Sequence, residues 1–339
     1  MVSKIIPAVL LSCIIYQSAL AQTDSSQSLQ YLNTSPPIPN SIGVTFDNNI
    51  NTYRWDGNIF YRKYFNNLDV QLNEQYKSSL IQTAKKLIRD EQIIELVAHY
   101  KISPSLRASS RVNSLTLSDN QSESLGKVTS HSLYGGLEYK LTNEITLEPL
   151  IGMRFDKQMN QEDRGFSYLL NAKGDNLEMS SFKTFFLGYF EGNYLSPRKL
   201  ETHNLTLSIQ KVFFQNTRNV VNISYKKNLR EFYFTADPKI QSQYSVLNNI
   251  ERRNENLISA FDTLDYNAGN GWQISLNGTA SFRDIDRSIR YKPTVVSGFD
   301  SRYFDNNIHD FKIEGSTQLI YEPSKDFNSQ IQMIYGERD

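Results

Sequence analysis

The feature that most constrains this chain is a two-residue period held over ten or more residues at several places. Trp272, Ile274, Leu276, Gly278, Ala280 and Phe282 alternate with Gln273, Ser275, Asn277, Thr279, Ser281 and Arg283. The first set is apolar or small throughout and the second is polar throughout. Ile145, Leu147, Pro149, Ile151, Met153 and Phe155 alternate likewise with Thr146, Glu148, Leu150, Gly152, Arg154 and Asp156, and shorter runs at 68–72, 205–209, 221–225 and 311–321 obey the same rule. Successive side chains of a strand point to opposite faces, so these runs are strands with one greasy and one wet face. Soluble strands average about 5–6 residues, whereas a tilted strand that crosses a bilayer needs about 9–11. The runs here fit the longer class. A soluble sandwich would use shorter strands, denser Gly and Pro punctuation, and a single shared core.

Residues 1–21 read as a secretory signal peptide: Lys4 gives a positive start, residues 5–16 an apolar stretch, and Ala19 and Ala21 a small-x-small cleavage site. The apolar stretch is shorter than the roughly 20 residues of a transmembrane helix and contains Pro7 and Ser12. Leu10 to Cys13 is a weaker match to a lipoprotein acylation site, because Cys13 is followed by Ile14, Ile15 and Tyr16. Cys13 is the chain's one cysteine, so cleavage after Ala21 leaves no disulfide, cysteine nucleophile or cysteine metal site. Residues 22–40, with Pro36, Pro37 and Pro39, read as a polar leader, disordered or extended. Basic and acidic residues number 36 each, and loss of Lys4 leaves a net charge of −1, which gives no reason to expect a nucleic-acid partner.

The mean hydropathy of −0.49 and the absence of a second long apolar run exclude a membrane protein made of helices. They do not exclude one made of strands, because half of each strand then faces a wet interior. Twenty Tyr and nineteen Phe suit strands and interfacial girdles.

Several predicted strands end in Tyr, pass through a short turn, and restart on an apolar residue. These are Tyr64 to Leu68, Tyr100 to Leu106, Tyr139 to Ile145, Tyr194 to Leu200 and Tyr321 to Phe327. Tyr has an apolar ring and a wet hydroxyl, which is what an interface selects. The segments 118–130, 157–181, 237–256 and 284–309 are longer and polar, and are expected as loops at the opposite end. With the export signal and the alternating strands, these features make the chain resemble the Gram-negative outer-membrane β-barrel proteins. The resemblance spans residues 41–339 and is architectural. It implies an all-β, antiparallel up-and-down transmembrane barrel with short periplasmic turns and long extracellular loops. It also implies contact with outer-membrane lipid and lipopolysaccharide, assembly by the barrel assembly machinery, and an interior open to small-solute passage.

The strands are expected near 41–47, 58–65, 68–81, 92–102, 105–117, 131–141, 145–156, 182–194, 203–214, 220–227, 229–236, 257–264, 271–283, 310–321 and 327–336. Roughly 15 strands is an odd number, and the sequence ends at Asp339 without a terminal aromatic, so a barrel incomplete at its C-terminal end is expected. Between Ser78 and Val97 a surface helix competes with strands, since Leu80, Ala84, Leu87 and Ile88 fall at helical spacing.

Chemistry is sparse. His99, His131, His203 and His309 lie far apart and lack zinc-ligand spacing. His99 near Ser103 and Ser105 would suit a hydrolase only weakly, with no Gly-x-Ser-x-Gly elbow in the chain. Gly269, Asn270 and Gly271 read as a hairpin turn, and the acidic residues Glu162, Asp163 and Asp300 to Asp305 lack calcium-loop spacing. Glu138, Lys140, Glu148, Arg154, Arg107, Arg111, Arg283 and Lys312 all fall on polar faces, where they either line an aqueous channel or pair across a filled interior. No catalytic, cofactor or metal residue is assigned. A porin-like channel or surface-exposed structural barrel is the leading expectation. The alternatives are an exported soluble β-sheet binding protein of the periplasm or cell surface and, less favoured, an outer-membrane hydrolase. A plugged transporter does not fit, because alternation begins too soon after the cleavage site.

Overall fold

The computed structural model describes residues 40–82, 86–120, 127–179, 181–214, 216–292, 307–324 and 327–338. The export signal at 1–21 and nearly all of the 22–40 leader lie outside the described residues, as do Asp300 to Asp305. The chain forms strands β1 (Ser41–Asn49), β2 (Thr52–Phe65), β3 (Leu68–Gln82), β4 (Lys86–Lys101) and β5 (Leu106–Asp119). These are followed by β6 (Lys127–Lys140), β7 (Ile145–Gln158), β8 (Gln161–Met179), β9 (Phe182–Leu195) and β10 (Lys199–Phe213). The last five are β11 (Thr217–Thr235), β12 (Asn248–Gly269), β13 (Trp272–Ile289), β14 (Ile308–Ser324) and β15 (Phe327–Arg338), with a short helix α1 (Pro238–Tyr244) between β11 and β12.

The fifteen strands of the described residues belong to one antiparallel up-and-down sheet, each paired with its neighbours in chain order. Among the described residues no ladder joins β15 to β1. Antiparallel neighbours need only short connections, and at one end of the sheet every connection is short: 66–67, 102–105, 141–144, 180–181, 214–216, 270–271 and 325–326. At the other end 50–51, 83–85, 159–160 and 196–198 are also tight, while 120–126, 236–247 and 290–307 are longer. The asymmetry expected from sequence is therefore present, carried by three connections.

The 270–271 turn shows how local chemistry sets a hairpin. Gly269, Asn270 and Gly271 all have positive φ (+81°, +52° and +83°), and the Asn267 side chain accepts a hydrogen bond from the Gly269 amide at a bulge. Glycine and asparagine are the residues that tolerate this backbone.

The observed strand count matches the expected one through two opposite differences. The segment 157–181, expected as a loop, contains β8 of 19 residues. The segments 220–227 and 229–236, expected as two strands, are the single strand β11. One strand gained and one merged leave the total unchanged. Between them, β9 and β10 run opposite to the expected direction, so the turn after Tyr194 lies at the end with the longer connections. The expected 237–256 and 284–309 loops are likewise shorter, since β12 begins at Asn248 and β13 continues to Ile289. Around 78–97 the strands prevail over the helix: β3 runs to Gln82 and β4 starts at Lys86.

The sheet is strongly curled. Strands three apart lie about 14 Å apart in a flat sheet, yet His99 on β4 reaches Glu148 on β7 at 3.1 Å, and the Tyr134 hydroxyl on β6 donates to Glu191 on β9 at 2.9 Å. These residues share the concave face. A further tie bridges β7, β8 and the part of β11 that extends past the 196–198 turn. Arg198, in that turn, donates to Asp163 at 2.5 Å, to Asp156 at 3.2 Å and to the Glu231 carbonyl at 3.1 Å. Its guanidinium lies over the Tyr233 ring, whose hydroxyl donates to Asp163 at 3.0 Å. All three charged side chains are buried. Removing one member of a buried ion network costs about 3–5 kcal/mol because charge is left without a partner. Arg198→Ala should therefore lower the urea midpoint of unfolding in detergent by that equivalent, with Arg198→Lys recovering part; an unchanged midpoint would show that the tie does not hold the curl.

Candidate functional site

Alternation and register together assign every strand's faces. His99 stands opposite Ser109, Arg107 opposite Glu138, and Glu148 opposite Asn171, which puts all six on the concave face. Arg111, Arg154, Lys140, Arg283 and Lys312 share that face by the same register, so all eight charges expected on the polar side are on it. The opposite face carries the apolar sets read from the sequence: Leu133, Ile151 and Met153 in one region, Ile258, Leu276 and Phe282 in another, all exposed.

The concave face of β4–β9 carries two neighbouring polar clusters. Glu148 is the hub of the first. One carboxylate oxygen accepts from Ser109 at 2.5 Å and from His99 at 3.1 Å, and the other accepts from Asn171 at 2.6 Å with Arg111 at 3.7 Å. Glu138 is held by Arg107 at 3.3 Å, with His99 at 3.6 Å. Next to this, Glu191 accepts from Tyr134 at 2.9 Å, Tyr189 at 2.5 Å and Asn193 at 3.0 Å. Asn193 in turn accepts from Ser167, and Arg154 pairs with Asp156 at 2.7 Å. Tyr134, Leu150 and Leu169 are each 1% exposed and form a small apolar core inside the polar shell, covered by Tyr189. Of the two sequence-level options for these charges, this part of the sheet takes pairing across a filled interior.

This arrangement limits the chemistry. The Ser109 hydroxyl donates to the Glu148 carboxylate and not to an imidazole, so Ser109 has no imidazole base beside it. His99 faces inward while Ser103 and Ser105 sit in the 102–105 turn, and the structure does not bring them together. His99, Glu138 and Glu148 each offer a ligand atom within 4.8 Å of one another, but Arg107, Arg111, Ser109 and Asn171 already supply positive charge and donors to those carboxylates. The other histidines are separate: His131 bonds to Ser114, His203 packs on Phe190, and His309 pairs with Asp284 at 2.7 Å. Glu162 pairs with Lys157, and Asp163 is held by Arg198 and Tyr233, so neither belongs to a calcium loop.

Sequence reasoning missed the meeting of Ser109, His99 and Glu148. The first two are readable in principle, since they lie symmetrically about the 102–105 turn. Glu148 arrives only through the curl, which no local signal encodes.

No protein-family model matches the chain, and no curated protein sequence matches it. Among solved structures it is similar to the CymD monoaromatic hydrocarbon channel, at 13% identity over 88% of this chain and 85% of that one, with a TM-score of 0.25.

If Glu148 organises the network, Glu148→Ala should destabilise the fold by about 3–5 kcal/mol, whereas Ser109→Ala, which removes one hydrogen bond, should cost about 1–3 kcal/mol. Equal urea midpoints for the two variants would contradict the hub role.

Proposed function

We propose that the chain is an outer-membrane β-barrel protein without catalytic activity, acting as a porin-like channel. The observation that carries this reading is the convex face. Soluble proteins rarely expose contiguous apolar patches beyond a few hundred Å². Here large apolar side chains stand exposed in rows on strands from β1 to β15, Ile42 at 78%, Ile151 at 65% and Ile331 at 60% among them. Charges are paired on the other face. That inside-out order suits lipid outside and water or polar packing within. An exported soluble β-sheet protein would hold the same surface in water at a large cost. Aromatic groups at both ends of the convex face support the reading: Trp272 stacks on Tyr321 at 4.3 Å beside the short turns, and Phe46, Tyr53 and Trp55 cluster at the other end. In this reading the chain is inserted by the barrel assembly machinery, and its outer wall meets lipid and lipopolysaccharide.

The concave face of β4–β9 is filled, so conduction falls to the wall of β12–β14. There Arg283, Arg287, Lys312 and Glu314 are paired with neighbours yet remain 35–44% exposed. Small ions and polar solutes would pass along this wall. Planar-bilayer recording tests this directly: small discrete conductance steps are expected, with Arg283→Glu and Lys312→Glu moving selectivity toward cations. A folded, silent protein would leave a structural barrel instead. Hydrolysis of phospholipid or peptide would revive the enzyme alternative.

Insertion itself has a sided test. Leu276→Arg puts a cation near the middle of the convex face, where a basic residue costs about 2–4 kcal/mol in lipid. Gln318→Arg puts one on the concave face. Heat-modifiable, detergent-resistant protein should fall sharply for the first variant and little for the second. Equal behaviour would contradict a lipid-facing convex wall.

A further inference from the structure

On the convex face of β6–β8, beside the 159–160 turn, is a recess of about 490 Å³. Its lining includes His131, Phe155, Lys157, Glu162 and Arg164. Register explains the composition. His131, Phe155 and Arg164 are direct neighbours across the three strands, and Thr129, Lys157 and Glu162 form the next row toward the turn. On the other side of the recess Leu133, Met153 and Phe166 form the adjoining row, all exposed. Apolar wall therefore passes into basic rim within a single strand repeat.

The charges in the recess are not equivalent. Lys157 holds Glu162 at 2.6 Å, and both are exposed. His131 is engaged through Nδ1 with Ser114 at 2.9 Å. Asp156 and Asp163 also line the recess, but Arg198 already binds their carboxylates. Arg164 is exposed, and its side chain has no hydrogen bond or ion pair among the described residues.

We propose that this recess binds the phosphate-bearing headgroup of a lipid, with Arg164, Lys157 and His131 on the phosphate and an acyl chain along Leu133, Met153 and Phe166. The inference rests on the convex face being lipid-facing. A guanidinium matches phosphate geometry by paired hydrogen bonds, and the apolar row below it selects a lipid over a free anion. Glu162 is the brake: it neutralises Lys157 and repels the ligand.

The test uses the full-length chain folded in detergent micelles and titrated with dioleoyl phosphatidic acid, dioleoylglycerol and inorganic phosphate, with binding read by native mass spectrometry. Phosphatidic acid should bind, and the other two should bind at least about tenfold more weakly: dioleoylglycerol lacks the charge-assisted hydrogen bonds of the phosphate, and inorganic phosphate lacks the acyl contacts. Arg164→Ala should weaken phosphatidic acid by about tenfold, and Glu162→Gln should tighten it several-fold by releasing Lys157. Both positions are exposed, and unchanged urea midpoints would confirm that the fold is intact. Equal affinity of Arg164→Ala and the unaltered chain overturns the site, as does inorganic phosphate binding as well as phosphatidic acid. Insertion of the unaltered chain into dioleoylphosphatidylcholine vesicles is scored alongside by protease protection. Insertion without preference for phosphatidic acid overturns this site alone, and failure to insert overturns the membrane reading together with the site.

Discussion

A backbone amide or carbonyl that cannot reach water has to find another backbone group, and in this chain it finds the neighbouring strand. Fourteen consecutive antiparallel ladders, from β1–β2 to β14–β15, supply those partners. Where no water is available, such pairing is what allows strands to persist at all. Everything else follows from that lattice. It makes the strands long, it fixes register through short turns, and it sends alternate side chains to opposite faces. A one-residue slip would carry a whole apolar row to the concave side and Glu148 or Arg111 to the convex one.

The concave side shows how charges are accommodated once register is set. Few are left to stand alone: Glu148 collects donors from strands on both sides, Glu191 collects them from β6 and from its own strand, and Arg198 satisfies two aspartates at once. Such networks are stabilising only when nearly every member is satisfied. The curl is what brings members from strands three apart within reach. Packing of Tyr134, Leu150 and Leu169 inside the polar shell then closes this side of the concave face, leaving the wall of β12–β14 more open.

How much of this was readable beforehand depends on the scale. The faces of 145–156 and 271–283 were legible residue by residue, because both strands alternate strictly and each charge fell on the side the structure gives it. β8 was not. Its concave residues are Asp163, Gly165, Ser167, Leu169 and Asn171, a set that reads as loop when the partner strand is unknown. Gly165 is there because a Cβ would run into the Tyr194 carbonyl oxygen, a close approach between strands and not a turn. In β11, Lys226, Lys227 and Asn228 interrupt the apolar period and look like a break. In the structure Lys227 instead pairs with Glu201 on β10 at 2.8 Å and the strand runs through. Local pattern thus identified strands whose two faces differ strongly. It failed where partner contacts replace the apolar signal. The polar network lay beyond reach for the same reason, since it depends on curvature.

The chain's two tryptophans allow the central claim to be measured without any label. Trp55 and Trp272 both lie on the convex face by register, each near the start of its strand and at opposite ends of the sheet. Fluorescence of the folded protein in vesicles made from lipids brominated at successive chain depths would report what that face touches. If it faces lipid, bromines near the headgroup should quench strongly, deeper ones less, and aqueous iodide hardly at all. Strong quenching by iodide with none by brominated lipid would place both tryptophans in water and contradict the account.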